Sequence, residues 1–373
     1  MENVFLNTAY AALKLINGCF EPEKVISSDS WKDYTSEQLL TVSESLGIAA
    51  LTAYALKRQG AVTPDSKLIL ASAQRRDLLL GAEYRKISDE LKKNRVVHLP
   101  LKGIILKDLY PSVGLREMTD IDIWFDADRS DDVKAVMESL GYSAKYFGVS
   151  KHDVYTKPPM FCVEMHRQLI DSDVLPESVD YYSKQWDRLI REKKEGEYAL
   201  AQRHEDFYIY VIAHAYKHYL IAGIGVRLLL DVYVMLKKWS DMDLPYITRE
   251  CKKQGFEDFE ELTRRLSVNL FTREKLSPED SKRLDDFILS GVHGSTKKYY
   301  QNMIGQSESK QAYIRSRLKT TDKQLENHPF LLRHKALRPL YLPVRLIDAL
   351  FNRRKLLRAE LKALYRFKKD DNQ

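Results

Sequence analysis

Two short apolar runs, at residues 96–99 and 120–125, constrain the fold more than any other part of the chain. A helix-like segment that begins after Lys102 and Gly103 separates them, and the second run carries Asp120 and Asp122 on alternate positions. Short apolar runs of this kind are typical of buried strands, and the segment between them is long enough for a helix. The stretch therefore predicts two strands separated by a helix.

The two aspartates are candidate metal ligands. Side chains two residues apart in a strand point to the same face, so Asp120 and Asp122 share one face while Ile121 and Ile123 bury the other. Hard divalent cations such as Mg²⁺ take carboxylate oxygens, and a two-metal site needs more carboxylates than two. Glu164 is the best third candidate, because it lies in the alternating run Phe161–His166, where a half-buried strand has no structural need for a charge.

A phosphate-binding element is expected at the start of the helical segment, residues 104–109. The N-terminus of a helix presents free backbone N–H groups and a partial positive charge, which suit phosphate. Gly103 opens this segment, and Lys102 beside it adds a positive charge for a triphosphate. Lys102 as a plain surface lysine is the alternative.

The order of these residues resembles the bacterial uncharacterised nucleotidyltransferase family of the DNA polymerase β-like superfamily. That resemblance implies an α+β fold, in which a small mixed β-sheet core is flanked by N-terminal and C-terminal helical regions. It also implies two Mg²⁺ ions, with Mn²⁺ as a substitute, and transfer of a nucleoside monophosphate from an NTP to a hydroxyl acceptor with release of pyrophosphate. It leaves open whether the acceptor is a small molecule, a peptide, a protein or RNA. The residues that carry it are Leu101-Lys102-Gly103, Tyr110, Arg116, Asp120-Ile121-Asp122-Ile123, Gly141-Tyr142 and Val163-Glu164-Met165-His166, with His214, His218, Arg227 and Asp231 further on.

Residue by residue, the resemblance implies that Asp120, Asp122 and Glu164 are the catalytic metal ligands. Lys102, Gly103 and Arg116 would bind the phosphates, and His166, which shares a face with Glu164, would touch the acceptor. The alternatives are that Arg116 pairs with Glu117 or Asp120 and that His166 is a structural histidine. The superfamily has Gly-Ser at the start of its helix, whereas this chain has Lys102-Gly103 followed by Ile104, so the serine contact to phosphate is absent.

Hydrophobic periodicity divides the chain into four regions. We predict an N-terminal helical region (1–95), a nucleotidyltransferase core (96–175), a helical domain that closes the cleft (176–320) and a basic C-terminal helical segment (321–373). In the first region a helix begins near Ser36 and a long one spans 66–93. His214 and His218 lie on one face of a later helix, where they or Lys217 either line the cleft or have a purely structural role. Arg227 and Asp231, four residues apart on the next helix, are expected to form an ion pair.

Positive charge is concentrated near the C-terminus. The net charge is +7, and arginines and lysines alternate with leucines at helical spacing between residues 333 and 369. Such a basic amphipathic helix suits an anionic membrane surface or RNA, although a packing helix with a basic outer face gives the same pattern. The N-terminus lacks the features of a signal peptide, so a cytoplasmic location is expected. Three separate cysteines, Cys19, Cys162 and Cys251, indicate neither a zinc site nor a disulfide framework.

Three functions remain open from the sequence. The favoured one is an active Mg²⁺-dependent, ATP- or other NTP-using nucleotidyltransferase. The absent serine would also fit a catalytically degenerate nucleotide-binding regulatory module. The basic C-terminal helix would fit an RNA-associated protein in which that helix is the working part.

Overall fold

The computed structural model describes residues 2–20, 31–148, 151–170, 172–273, 275–291, 294, 296–305, 307, 309–320, 334, 337–338, 341–344 and 354–366. The chain forms two compact units. The first comprises residues 1–217 and 225–292, and the second comprises residues 218–224 and 293–373.

The first unit contains a five-stranded mixed sheet. Its strands are β1 (His98–Pro100), β2 (Ile121–Phe125), β3 (Ser143–Tyr146), β4 (His152–Lys157) and β5 (Phe161–His166), in the spatial order β1-β2-β5-β4-β3. Only β2 and β5 are parallel; the other neighbours are antiparallel. With helices on all sides, this is the α+β fold that the sequence predicts.

One face of the sheet packs into a hydrophobic core. Ile121 and Ile123 of β2 and Val163 and Met165 of β5 are fully buried there, as period-two alternation predicts. Two helices cover this face: α4 (Pro64–Lys93) and α6 (Ser130–Ser139). The core side chains they contribute are Leu80, Ile87 and Leu91 from α4 and Val133, Val136 and Met137 from α6. The polar residues of β2 and β5 are thereby left on the opposite face.

Helices before the sheet begin at clear capping signals. Thr35 and Gln38 form a capping box at the start of α2 (Ser36–Leu46), and Thr63 does the same with Ser66 at the start of α4. The predicted long helix of residues 66–93 therefore begins two residues earlier, at Pro64. The remaining helices of this region are α1 (Glu2–Phe20) and α3 (Ala49–Arg58).

Two short helical turns follow β1: α5 (Gly103–Leu106) and a 3₁₀ turn, Lys107–Leu109. After the sheet the first unit is helical again. Its helices are α7 (Val179–Glu192), α8 (His204–Ile221, whose last residues belong to the second unit), α9 (Arg227–Lys238), α10 (Leu244–Lys253), α11 (Glu257–Thr272) and α12 (Pro278–Ser290).

The second unit contains α13 (Thr296–Gly305), α14 (Lys310–Leu318) and α15 (Arg354–Arg366). A small core of Tyr300, Ile304, Tyr313 and Ala363 joins them. Glu360 of α15 accepts hydrogen bonds from the Tyr313 hydroxyl at 2.6 Å and from Nε of Arg317 at 2.7 Å.

α15 thus packs through one face, as the packing-helix interpretation requires. The rest of the predicted basic segment, residues 321–333, 335–336, 339–340, 345–353 and 367–373, lies outside the described residues. Among the helices of the described ranges, none has the length and apolar character needed to cross a membrane.

Candidate active site

The parallel pair β2 and β5 brings two carboxylates together. Asp122 lies directly opposite Glu164, and Trp124 lies opposite His166 in the same register. Directly paired residues on neighbouring strands place their side chains on the same face. Asp122 and Glu164 therefore stand side by side on the face of the sheet that the hydrophobic core leaves free.

Asp122 is the centre of this group. Its Oδ1 accepts hydrogen bonds from Nζ of Lys102 at 2.7 Å and from Nε2 of His166 at 2.8 Å, and its side chain is only 4% exposed. Burial opposes ionisation, but the Lys102 ammonium and the His166 hydrogen bond hold the pKa of the Asp122 carboxyl well below its usual range. Asp122 is therefore an anion at neutral pH.

Glu164 shares His166 with Asp122. Nε2 of His166 lies 3.5 Å from Oε2 of Glu164, and Nε2 of His152, on β4, lies 3.9 Å from the same oxygen. The hydrogen bond with His166 lowers the pKa of Glu164 against the effect of burial. Conversely, burial lowers the pKa of His166, but its bonds to the two carboxylates outweigh burial and raise it. The two carboxylates therefore share one histidine at this face, and Asp122 is also bonded to Lys102.

Lys102 reaches Asp122 from a sharp turn between β1 and α5. Its backbone has φ +43° and ψ −113°, a conformation that residues with a Cβ rarely adopt. Burial lowers the pKa of Lys102, but the neighbouring Tyr210 oxygen and the Asp122 carboxylate raise it above its usual value, so the ammonium stays charged. Strain of this kind persists only where the surrounding structure imposes it.

Gly103, the next residue, is required by close packing. A Cβ at this position would lie 2.6 Å from Sδ of Met118 and 3.0 Å from Nη1 of Arg116. The helix it opens, α5, is only four residues long and continues as a 3₁₀ turn. A short helix carries a small macrodipole, so most of the positive charge at this end of the sheet comes from Lys102.

Asp120 precedes β2 by one residue and is half-buried. Burial and the negative charge of Asp122 raise the pKa of its carboxyl, while Lys102 opposes the shift. Asp120 therefore lies within electrostatic range of the group, although the closest cluster consists of Asp122, Glu164 and His166.

Arg116 lies in the segment between α5 and β2. Its Nε and Nη2 donate to the two oxygens of Asp231 at 2.9 and 3.0 Å, and the Tyr110 hydroxyl donates to the same carboxylate at 2.8 Å. Asp231 is on α9, where the sequence suggested a helical pair with Arg227. Nη1 of Arg227 donates instead to the carbonyl of Glu117, at 3.3 Å. Of the three guanidinium nitrogens of Arg116, Nη1 is the one that faces Gly103.

Tyr210, on α8, is a site residue that the sequence analysis missed. It is fully buried, its hydroxyl has no hydrogen-bond partner in the described ranges, and it interacts electrostatically with Lys102, Asp122 and Glu164. The sequence signal is weak, because Tyr210 stands in an apolar run of α8 where a tyrosine is typical of the core. His214, one turn further on, has its ring centroid 6.1 Å from that of Tyr210.

The donor atoms fit a divalent cation. One oxygen from each of Asp122 and Glu164 and one ring nitrogen of His166 lie within 4.8 Å of one another, and no other group of three His, Cys, Asp or Glu in the described part of the chain is so close. Three donors this near can converge on a single ion with small side-chain rotations. A second ion would need Asp120 and oxygens from a substrate.

One of three comparisons with known proteins found a match. No curated protein and no solved structure gives a significant match to the chain. The sequence model of a family described as "Uncharacterised nucleotidyltransferase" matches residues 33–272, which is more than half of the chain and includes the whole sheet, the carboxylates, Lys102 and Asp231. The chain therefore belongs to the uncharacterised nucleotidyltransferase family.

Proposed function

We propose that the protein transfers a nucleoside monophosphate from an NTP to a hydroxyl group of an acceptor and releases pyrophosphate. The observation that carries the proposal is the register of β2 and β5, which sets Asp122 opposite Glu164 beside the Lys102 ammonium. Paired carboxylates next to a fixed cation are the arrangement that phosphoryl transfer requires, since its catalysis is mainly positioning and electrostatic stabilisation.

The carboxylates have distinct proposed roles. Asp122 and Glu164, with Asp120 at the edge, hold divalent cations, Mg²⁺ or Mn²⁺. When bound, such ions neutralise the triphosphate and lower the pKa of the attacking hydroxyl. Glu164 is the more exposed of the paired carboxylates, with 26% of its side chain accessible against 4% for Asp122. The acceptor therefore approaches from the side of Glu164, where His166 and His152 lie nearby.

The phosphates are proposed to bind at the turn between β1 and α5. Lys102 supplies a charged donor that can move from Asp122 to a phosphate oxygen once a metal ion neutralises that carboxylate. Gly103 allows a close backbone approach, and Nη1 of Arg116 faces it. Arg116 thus joins the phosphate region to the buried Asp231, which keeps the cationic side of the site rigid.

The test is a transfer assay with each labelled NTP, supplied with Mg²⁺ or Mn²⁺ and a lysate as the source of acceptor. We expect one labelled product and an equal amount of pyrophosphate. Asp122→Asn and Glu164→Gln should abolish labelling, because each removes a charge from the pair. Asp128→Asn is the matched control: it makes the same change in an exposed 3₁₀ turn and should leave transfer intact. Full labelling by Asp122→Asn would refute the proposed function.

One observation favours a second candidate, nucleotide binding without turnover. Lys102 and His166 both bond to the same oxygen of Asp122, so this carboxylate already has two hydrogen-bond partners. If Lys102 does not leave Asp122 when nucleotide binds, the site recognises an NTP but transfers nothing. Calorimetric binding of an NTP with no pyrophosphate released under any acceptor condition would select this regulatory module over the enzyme.

A further inference from the structure

The proposed metal site contains a ring nitrogen where the transferase reaction needs only oxygen ligands. Nε2 of His166 is 2.8 Å from Oδ1 of Asp122 and 3.5 Å from Oε2 of Glu164. His166 is buried, with 8% of its side chain exposed, and it follows Glu164 by two residues on the same strand. Its ring therefore points into the carboxylate pair, away from bulk solvent.

These spacings match those of ligands bound to one ion. Neighbouring ligand atoms around a cation held at about 2.1 Å are roughly 3 to 3.5 Å apart in octahedral or tetrahedral geometry. The two distances from Nε2 to the carboxylate oxygens lie close to that range. An ion at this position would take an oxygen from Asp122, an oxygen from Glu164 and the nitrogen of His166.

The donor type determines which ion is preferred. Mg²⁺ and Ca²⁺ select oxygen ligands, whereas imidazole nitrogen suits first-row transition ions, whose affinity for mixed sites rises along the series from Mn²⁺. Replacing one oxygen donor by imidazole weakens the site for Mg²⁺ relative to these ions. We propose that His166 is a metal ligand and that the centre formed by Asp122, Glu164 and His166 prefers a first-row transition-metal ion to Mg²⁺.

The inference concerns the same centre as the proposed function, and rests on it for the ion's role in transfer. Its test uses no nucleotide. If the wild-type protein binds Mn²⁺ through nitrogen but transfers no nucleotide, only the proposed function fails. If it transfers nucleotide but its Mn²⁺ has no nitrogen ligand, only the inference about His166 fails.

The experiment is electron spin echo spectroscopy of the full-length protein loaded with Mn²⁺, followed by competition with Mg²⁺. We expect ¹⁴N modulation from a directly bound imidazole in the wild type and its loss in His166→Gln, which exchanges the nitrogen donor for an amide oxygen. In the same variant the preference for Mn²⁺ over Mg²⁺ should fall by at least about tenfold. Removing a residue that only supports a metal ligand already lowers metal affinity by about this factor, so removing a ligand itself should cost no less.

His152→Gln is the matched control. His152 faces the same carboxylate, with Nε2 3.9 Å from Oε2 of Glu164, but is outside the trio of donors and is 35% exposed. It should keep both the ¹⁴N signal and the metal preference. A wild-type spectrum without ¹⁴N modulation overturns the inference whether or not the variants fold, and so does a signal that persists in His166→Gln.

Discussion

The guanidinium of Arg116 and the carboxylate of Asp231 form a two-pronged buried ion pair, with Nε to Oδ1 at 2.9 Å and Nη2 to Oδ2 at 3.0 Å. The side chains are 9% and 7% exposed. Arg116 belongs to the segment that leads into β2, and Asp231 belongs to α9. The pair therefore holds the segment that leads to Asp120 and Asp122 against α9.

Asp231→Ala should strongly destabilise the first unit. Removing one partner of a buried pair leaves the Arg116 charge without compensation, which costs about 3–5 kcal/mol of the free energy of unfolding. The Tyr110 hydroxyl would lose its acceptor as well. Urea unfolding followed by circular dichroism measures the change.

The control for this prediction is Asp180→Ala. Asp180 pairs with Lys184 at 2.6 Å, but both side chains are 74% exposed. Exposed pairs contribute little to stability, so the unfolding midpoint should hardly move. Equal losses in the two variants would mean that the buried pair does not hold the segment in place.

Stability should also depend on pH through His98. This residue is fully buried in β1, with Nδ1 2.9 Å from the carbonyl oxygen of Val96 and Nε2 2.8 Å from Oγ of Ser88. Burial, opposed by the bond to Val96, lowers the pKa of His98 below its usual 6.5. The unfolded chain therefore takes up a proton at higher pH than the folded one, and this contribution to stability, complete above pH 6.5, is lost as the pH falls toward the folded-state pKa.

The measurement is the urea midpoint between about pH 7 and pH 5. Wild type should lose stability across this range more steeply than His98→Gln, which has no titrating ring. His204→Gln, a change in an exposed histidine that stacks on Trp239, should keep the wild-type slope. Parallel curves for wild type and His98→Gln would show that His98 titrates alike in the folded and unfolded states.

Local patterns in the sequence were enough to predict β2 and β5, whereas β1 begins two residues later than the apolar run 96–99. The alternation in Phe161–His166 matches β5 at both ends, and the start of α2 at Ser36 follows from local capping chemistry. The sequence predicted that the strands of Asp122 and Glu164 lie close together, but not the register that sets the two residues opposite each other. Register depends on how the whole sheet assembles.

Contacts between distant segments could not be derived in the same way. Asp231 accepts from Arg116, which is far away in sequence, because packing of α9 brings the two together, whereas helical spacing suggested Arg227. Likewise, a buried tyrosine in an apolar helix gives no sign that its hydroxyl faces a charged site. Lys102 was predicted next to phosphate, but its bond to Asp122 follows from a backbone conformation that the sequence does not reveal.

The positive φ of Lys102 predicts a difference in stability between two variants at this position. Lys102→Gly and Lys102→Ala both remove the ammonium, so they lose the same bond to Asp122. They differ in the Cβ, which is disfavoured at φ +43°. Glycine should therefore be the more stable of the two by about 1 kcal/mol, the reverse of the usual order in regular structure. Urea unfolding of both proteins gives the difference. A more stable alanine variant would mean that the turn relaxes when the ion pair is lost.

Tyr210→Phe should reduce transfer without weakening the fold. The Tyr210 hydroxyl is buried without a hydrogen-bond partner among the residues that the structure describes, so its removal should leave the unfolding midpoint unchanged. Its position near Lys102, Asp122 and Glu164 makes it available to a bound substrate. We expect kcat/KM to fall roughly tenfold to a hundredfold, the equivalent of the about 1.5–3 kcal/mol that a hydrogen bond to a charged group contributes.

Tyr182→Phe separates this role from the general effect of removing a buried hydroxyl. Tyr182, on α7, is also buried, and no described residue bonds to its hydroxyl; its ring lies 6.3 Å from that of Tyr210. The charged groups of the site are not among those that shift its pKa, which burial and the Tyr210 hydroxyl raise. Its removal should leave kcat/KM at the wild-type value. If both variants lose activity equally, the loss comes from repacking between α7 and α8, and Tyr210 has no contact of its own with substrate.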